Sequence, residues 1–461
     1  SISNGDSNDV LKMVFQTKLL VSDRKVRYIR VFFGLLISAS FQVLVKAECF
    51  TFGCSLTAVD IMYDDFTREA LSVLRQTQPR RSHGDESAGG EHSNDDNLMV
   101  KRKQALSKLQ VAGDSSKTTL TLRGFKGGNI NDQINQDRAM VVSPMDILPD
   151  SSKPKPMAQL LGVFDGHGRG GEKTSQYAVE QIPSLLATKL AAIFLDEDEG
   201  GTGKQENVHG DRDSEVVQAL KETFIEVDEN DPTLGDAGCT ATVVLRLGQK
   251  LFVANSGDSV SFIGVYFENK SVSPPTQNQV QIVYQSREDK PDLPEEKARI
   301  VAAGGYVHIP PDSNGDVPRA YFIDENGRAR YGLAMSRSLG DWKVKGVTAE
   351  PIVDILDLDE TVQMALSTYA KTCGSTIDDD DTKDEKNGYC DALDKSDVHI
   401  FATSISDGMM DYLSPSDIGQ ALAAAFFDPE SDVHPHSAAE NLIINAAKGW
   451  DGEFRGGYRD D

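Results

Sequence analysis

The chain has 461 residues, with 47 Lys and Arg against 72 Asp and Glu, a net charge of −25. Such a balance excludes nucleic acid as a general partner and disfavours anionic lipid, because both bind clustered positive charge. Hydrophobic residues make up 39%, enough to build a core, so the chain as a whole is not disordered.

From the N-terminus, Arg24, Lys25, Arg27 and Arg30 precede an uncharged apolar run from Val31 to Val45. The run is shorter than the roughly 20 residues that a membrane span needs. With the basic flank before it and Val45-Lys46-Ala47 after it, it reads as a signal or anchor segment; a buried or interfacial helix is the alternative. Residues 1–76 therefore form an N-terminal extension, and 77–116 a linker rich in small and polar residues. The main body is 117–461. It carries two acidic stretches, 198–214 and 374–397, the second holding the run Asp378 to Asp381, and both read as solvated insertions within one domain. Five cysteines, odd in number and irregular in spacing, form neither a disulfide framework nor a zinc pattern. The body reads as cytoplasmic.

Within the body, Gln159–Phe164 is a short apolar run that predicts a strand ending at Asp165-Gly166. Thr240–Leu247 and Lys250–Asn255 are β-branched runs joined by Gly248-Gln249, a two-residue hairpin with glycine first. Ser259–Tyr266, Val280–Tyr284 and Val398–Thr403 continue the strand pattern. Helical spacing runs from Tyr177 to Phe194, with Pro183 a predicted kink or break. Pro294 opens a helix that closes at Gly304-Gly305, and Ser414-Pro415-Ser416-Asp417 opens another over Ile418–Phe427. Hairpins imply antiparallel pairing, so the fold class is α+β, with helices layered on sheets rather than a doubly wound parallel sheet.

Four carboxylates stand out by position. Asp165, Asp258 and Asp407 each follow a predicted strand, and Asp137 sits in Asn135-Gln136-Asp137 before an apolar run. Unpaired carboxylates gathered at one rim repel each other unless a cation neutralises them, and hard oxygen donors suit Mg²⁺ or Mn²⁺. Any one Asp-Gly pair is more simply a turn. Four such carboxylates, two of them in Asp-Gly pairs, with His167 two residues after Asp165 in a glycine-flanked loop, favour a metal site with a proton donor beside it.

These segments resemble the PPM family, the metal-dependent serine/threonine phosphatases of type 2C. The resemblance is carried, in order, by Asn135-Gln136-Asp137, the Asp165-Gly166-His167-Gly168 loop, Gly238-Cys239-Thr240-Ala241, Asn255-Ser256-Gly257-Asp258-Ser259 and Asp289-Lys290-Pro291. Leu333 to Asp341, Ala349-Glu350-Pro351, Ser406-Asp407-Gly408 and the terminal Gly457 to Asp461 complete it. It implies a β-sandwich of two antiparallel sheets flanked by helices, with two Mg²⁺ or Mn²⁺ ions between them and a weaker third. By motif, Asp165 would bridge the pair, the Gly166 carbonyl would bind one ion, and Asp407 and Asp460 the other. Asp137 would hold metal-bound water and Asp258 the third ion. Metal-bridging hydroxide would attack phosphorus directly, and His167 would protonate the departing Ser or Thr oxygen. Phosphoproteins are then the substrates, and a monomer is expected.

The chain also departs from the family pattern. Gln136 stands where Glu is common, and Asp132 where the family places a phosphate-binding Arg, leaving Lys126, Arg138 or Arg169 as substitutes. Val260 replaces an Arg and Asp289 a His. The family's last apolar strand is missing after Asp461, which implies either a truncated sequence or one sheet left open with Asp460 loosely held. Asp341 reads as a group that supports the site from behind or simply packs, not as a metal ligand, and Arg337 as an internal ion-pair partner. A non-catalytic scaffold on the same fold is the alternative function.

Overall fold

The computed structural model describes residues 117–126, 133–147, 157–195, 208–268, 279–311, 317–374, 393, 395–428, 431, 433–454, 458, 460 and 461. The extension 1–76 with its segment 31–45, the linker 77–116, Asp132, residues 198–207 and residues 375–392 lie outside them.

Strands β1 (Arg138–Val142), β2 (Ala158–Phe164) and β3 (Gly166–Gly168) lead into helices α1 (Gly171–Leu195) and α2 (Val208–Glu229). Next come β4 (Ala237–Cys239), β5 (Ala241–Leu247), β6 (Lys250–Ser256), β7 (Val260–Phe267) and β8 (Val280–Gln285). Then follow α3 (Pro294–Ala302), β9 (Tyr306–His308), β10 (Arg319–Ile323), β11 (Ala329–Leu333), β12 (Leu339–Gly340), β13 (Ile352–Asp357) and α4 (Leu358–Gly374). Strand β14 (Val398–Ile405) precedes α5 (Asp407–Met410), α6 (Pro415–Phe427) and α7 (Pro435–Phe454).

Two antiparallel sheets form the core, as the α+β reading expected. One runs β1-β2-β5-β6-β13 and the other β14-β7-β8. Strand β7 shows why they stack. All eight of its residues are buried, so both faces are covered. Ile263 packs with Val244, Leu251 and Val253 of the first sheet. Its neighbour Phe262 points the other way, against Ile418 and Leu422 of α6 and Leu442 of α7. The period of two along a strand sends successive side chains into the two layers. On the far side of the first sheet, α1 lies against β1 and β2, and α2 against β13.

The predicted hairpin is present: Leu247 pairs with Lys250 across Gly248-Gln249, and Gly248 takes a φ of 61°. The start of α6 is also as read, with Ser414 accepting a hydrogen bond from the Asp417 amide at 3.2 Å. Two expectations change. Helix α1 begins at Gly171 and runs through Pro183 without ending. Proline removes one backbone bond, but Ala178, Val179, Ile182, Leu186 and Leu190 bury one continuous face, and tertiary packing holds the helix together. Helix α2 begins at Val208, inside the stretch 198–214 read as a solvated insertion. Glu215, Glu222 and Glu229 are exposed, while Val216, Leu220, Phe224 and Val227 are buried at helical spacing.

Candidate active site

The site forms where the ends of β2 and β14 meet the N- and C-terminal segments of the body. Asp165 follows β2 directly. Its amide donates to Thr240 Oγ1 at 3.0 Å, and its carbonyl accepts from the Thr240 amide at 2.8 Å, so the turn is pinned to β5. Gly166 is required next. A Cβ there would lie 2.5 Å from the Gln136 carbonyl and 2.8 Å from Gly171. Backbone approach this close admits no side chain.

Asp407 follows β14 in the same way. The chain crosses itself at Gly408, where a Cβ would meet the Asp461 carbonyl at 2.8 Å. Trp450 of α7 fixes the crossing by donating to the Gly408 carbonyl at 2.6 Å. Asp461 ties the end of the chain to the beginning of the body, accepting from the Gly124 amide at 2.6 Å and the Gln136 amide at 3.1 Å. Those contacts bring Asp460 beside Asp137, which is 4% exposed.

Asp137, Asp165, Asp407 and Asp460 are thereby gathered at one place. Burial raises the pKa of Asp165 well above the usual carboxylate range, and the charges of Asp137, Asp407, Asp460 and Asp258 raise it further. Asp137 and Asp407 are also raised, first by burial and then by their acidic neighbours. The Oδ1 atoms of Asp137, Asp258 and Asp407 are buried without a hydrogen-bond partner. Among the described residues no group of three or more His, Cys, Asp or Glu is set as a finished metal cage. Two lysines partly neutralise the cluster instead. Lys126 Nζ lies 2.8 Å from Asp460 Oδ1, and Lys290 Nζ 2.8 Å from Asp258 Oδ2. Burial works against the Lys126 charge, but Asp460 and Asp461 outweigh it and raise its pKa.

Asp460 is firmly held, contrary to the sequence expectation. Besides Lys126, it accepts from the Tyr458 hydroxyl at 3.2 Å and from the Asp461 amide at 3.0 Å. Asp258 sits close enough to act on Asp165 and Asp407 electrostatically, yet it is paired with Lys290. Gln136 turns away from the carboxylates; its amide donates to the Gly168 carbonyl at 2.9 Å and braces the His167 loop. Arg138 is committed to Gln176 at 2.7 Å and to the carbonyls of Asn135 and Asp137. His167 Nε2 lies 2.6 Å from Asp341 Oδ2. Burial opposes the charged ring, but the Asp341 carboxylate outweighs it and raises the pKa.

Arg337 is the internal ion-pair partner expected. Its Nη2 lies 2.7 Å from Glu296 Oε1, and Glu296 is 1% exposed. Asp289, where the family commonly has His, accepts from Arg287 at 2.7 Å and from the Gly257 amide at 3.1 Å. It thereby fixes the turn that carries Asp258. Sequence reasoning missed the roles of Lys290 and Asp461, allowed Asp341 a supporting place without naming His167 as its partner, and left Lys126 as one of three candidates.

A family model described as protein phosphatase 2C matches residues 135–366, half of the chain. The chain belongs to the protein phosphatase 2C family. The match spans Asp137, Asp165, His167, Asp258 and Asp341; Asp407 and Asp460 lie beyond it and join the site through the fold. Protein phosphatase 2C homolog 2 of Hypocrea jecorina is 29% identical over 268 residues, 55% of this chain and 49% of the relative. Protein phosphatase 2C homolog 3 of Schizosaccharomyces pombe is 30% identical over 233 residues, 47% of this chain and 44% of the relative. The chain thus spans about half the length of these curated relatives. Among solved structures, serine-threonine phosphatase 2C from Toxoplasma gondii aligns with a TM-score of 0.48 at 17% identity, covering 73% of this chain and 90% of that one.

Proposed function

We propose that this protein is a metal-dependent serine/threonine phosphatase that hydrolyses phosphoserine and phosphothreonine in proteins by direct attack of water. The observation that carries the reading is the convergence of Asp137, Asp165, Asp407 and Asp460, from four separate segments, at one buried rim beside the His167 loop. Repelling carboxylates with unpartnered oxygens fit a hard divalent cation, and Mg²⁺ or Mn²⁺ best match an all-oxygen donor set. Asp165, the Gly166 carbonyl, Asp407 and Asp460 would hold two such ions, and Asp258 a weaker third once Lys290 is displaced. Bound there, the ions lower the pKa of water and neutralise charge on the phosphoryl oxygens.

The chain's own residues supply the rest. Asp137 accepts a hydrogen bond from the attacking water and orients it. His167 hands a proton to the departing Ser or Thr oxygen as the ester bond breaks. Lys126, already at Asp460, is the cation we assign to the phosphoryl oxygens, in the place of the Arg that Asp132 replaces. The body acts as a cytoplasmic monomer, with residues 31–45 a targeting or anchoring segment.

The test is turnover of a phosphoserine peptide with Mn²⁺ and with excess EDTA. Activity that requires the metal is expected; activity that is absent, or indifferent to chelation, overturns the reading. The lack of a finished metal cage among the described residues and of an Arg at 132 favours one alternative, a non-catalytic scaffold on this fold. Calorimetric titration with Mn²⁺ separates the two, because a scaffold would not bind it.

A further inference from the structure

The carboxylate that meets His167 is held with unusual care. Asp341 is 3% exposed, and the oxygen that faces His167 Nε2 at 2.6 Å also accepts from Ser338 Oγ at 2.7 Å. Its backbone is left-handed, with φ 57°, directly after Gly340 at φ 80°. Asp tolerates that region better than most residues, yet the conformation is still unfavourable for it. Such strain persists only where the surroundings over-determine it.

Here they do. The Asp341 amide donates to the Ala237 carbonyl of β4 at 3.1 Å. The Gly340 amide donates to Asp228 Oδ1 of α2 at 2.6 Å, and Trp342 Nε1 donates to the same oxygen at 3.1 Å. The Asp341 side chain crosses Gly238, where a Cβ would lie 2.2 Å from Oδ2. Strand β4, strand β12 and the end of α2 thus converge to aim one carboxylate at one imidazole nitrogen. The other ring nitrogen, Nδ1, is buried and has no hydrogen-bond partner. A ring fixed through Nε2 presents Nδ1 in one direction only.

We propose that Asp341 is the positioning residue of His167, turning the ring so that Nδ1 faces the departing oxygen. This rests on the reading of His167 as proton donor. As the phosphorus–oxygen bond breaks, the leaving oxygen keeps the electron pair and takes the Nδ1 proton. The ring is left neutral with its remaining proton on Nε2, shared with Asp341. Water supplies the new phosphorus–oxygen bond, so phosphoserine and water become serine and phosphate.

The experiment compares Asp341→Asn, His167→Ala and the double variant on two substrates, a phosphoserine peptide and 4-nitrophenyl phosphate. Asn also tolerates the left-handed backbone and keeps an acceptor for Ser338. A nitrophenolate leaves without help, whereas a serine alkoxide needs a proton. Both single variants should lose about 10²-fold in kcat on the peptide and less than about threefold on the aryl ester, and the double variant should be no slower than His167→Ala. If His167→Ala shows that selectivity and Asp341→Asn slows both substrates equally or neither, the positioning role is overturned and the proton-donor reading stands. If His167→Ala itself slows both equally, the reading fails and takes the proposal with it. Should Asp341→Asn not fold, as judged by thermal unfolding, Ser338→Ala replaces it. That variant keeps the carboxylate but removes its second donor, and a loss of about threefold or more confined to the peptide is expected. No loss, or an equal loss on both substrates, overturns the role.

Discussion

The molecule contains two groups of buried acids that meet opposite fates. Around Glu296, arginines finish the job. Arg337, Arg299 and the Ser336 hydroxyl all bond its carboxylate, and although burial works against the charge these partners lower its pKa to about 2. Around Asp165 the neighbours are mostly other aspartates, and the pKa values go up instead. Glu296 is 1% exposed and Asp137 4%, so burial alone does not separate the two groups. The first group is neutralised within the chain, whereas the second keeps unpartnered carboxylate oxygens and raised pKa values despite Lys126 and Lys290. Acids that the protein gathers but does not itself neutralise are the physical mark of a site rather than of a scaffold.

Breaking one acid in each group should separate the two roles. Asp165→Asn is expected to lower turnover of a phosphopeptide by on the order of 10³-fold, about 4 kcal/mol of transition-state stabilisation. Without divalent ions, the same variant should unfold at the same temperature as the parent or higher, since a repelling charge has gone. A loss of several degrees there would move Asp165 into the structural group. Glu296→Gln should do the reverse. It leaves Arg287, Arg299, Ser336 and Arg337 around a neutral amide and should cost about 3–5 kcal/mol in urea unfolding at pH 7. Glu296 has a folded pKa near 2 against 4.5 unfolded, so its contribution is fully present above pH 4.5 and is lost as pH falls toward 2. The gap between parent and variant should close over that window. A gap that stays constant would assign the loss to packing instead of charge.

Adding Mn²⁺ sharpens the contrast further. Mn²⁺ at about 100 times its dissociation constant should stabilise the parent by about 3 kcal/mol through mass action. Calorimetric scans of Asp407→Asn should show little of that gain, while Glu296→Gln keeps it. Equal stabilisation of all three proteins would mean that the ion binds elsewhere.

The layered α+β fold was legible because its strands alternate or run apolar over the right lengths, and because Gly248-Gln249 and Ser414-Pro415 punctuate them. The acidic face of α2 hid its buried stripe, and β9 to β11 are short strands with exposed tyrosines that carry little pattern. In the site, Asp165 and Asp407 could be read because each follows a strand and precedes a glycine. The partner of His167 could not. Asp341 is 174 residues away, and its aim depends on two successive left-handed residues that no local propensity predicts. Lys126 was one basic residue among several until the fold brought the last residues of the chain to it.

The smallest effect lies at the clamp between α2 and the site. Asp228 accepts two hydrogen bonds through Oδ1, yet burial raises its pKa from 3.8 to about 6. The folded protein therefore holds a proton here that the unfolded chain has released between pH 4 and 6. Stability from this group is highest below pH 4 and is lost as pH rises through 6. Asp228→Asn keeps an acceptor for Gly340 and Trp342 but never has to be charged. It should match the parent near pH 4 and exceed it by no more than about 2 kcal/mol above pH 6, once screening of this half-buried group is allowed for. Urea unfolding at a series of pH values reads the difference. A flat offset would show that Asp228 acts only through its two hydrogen bonds, and the clamp on Asp341 would then be a matter of geometry with no charge in it.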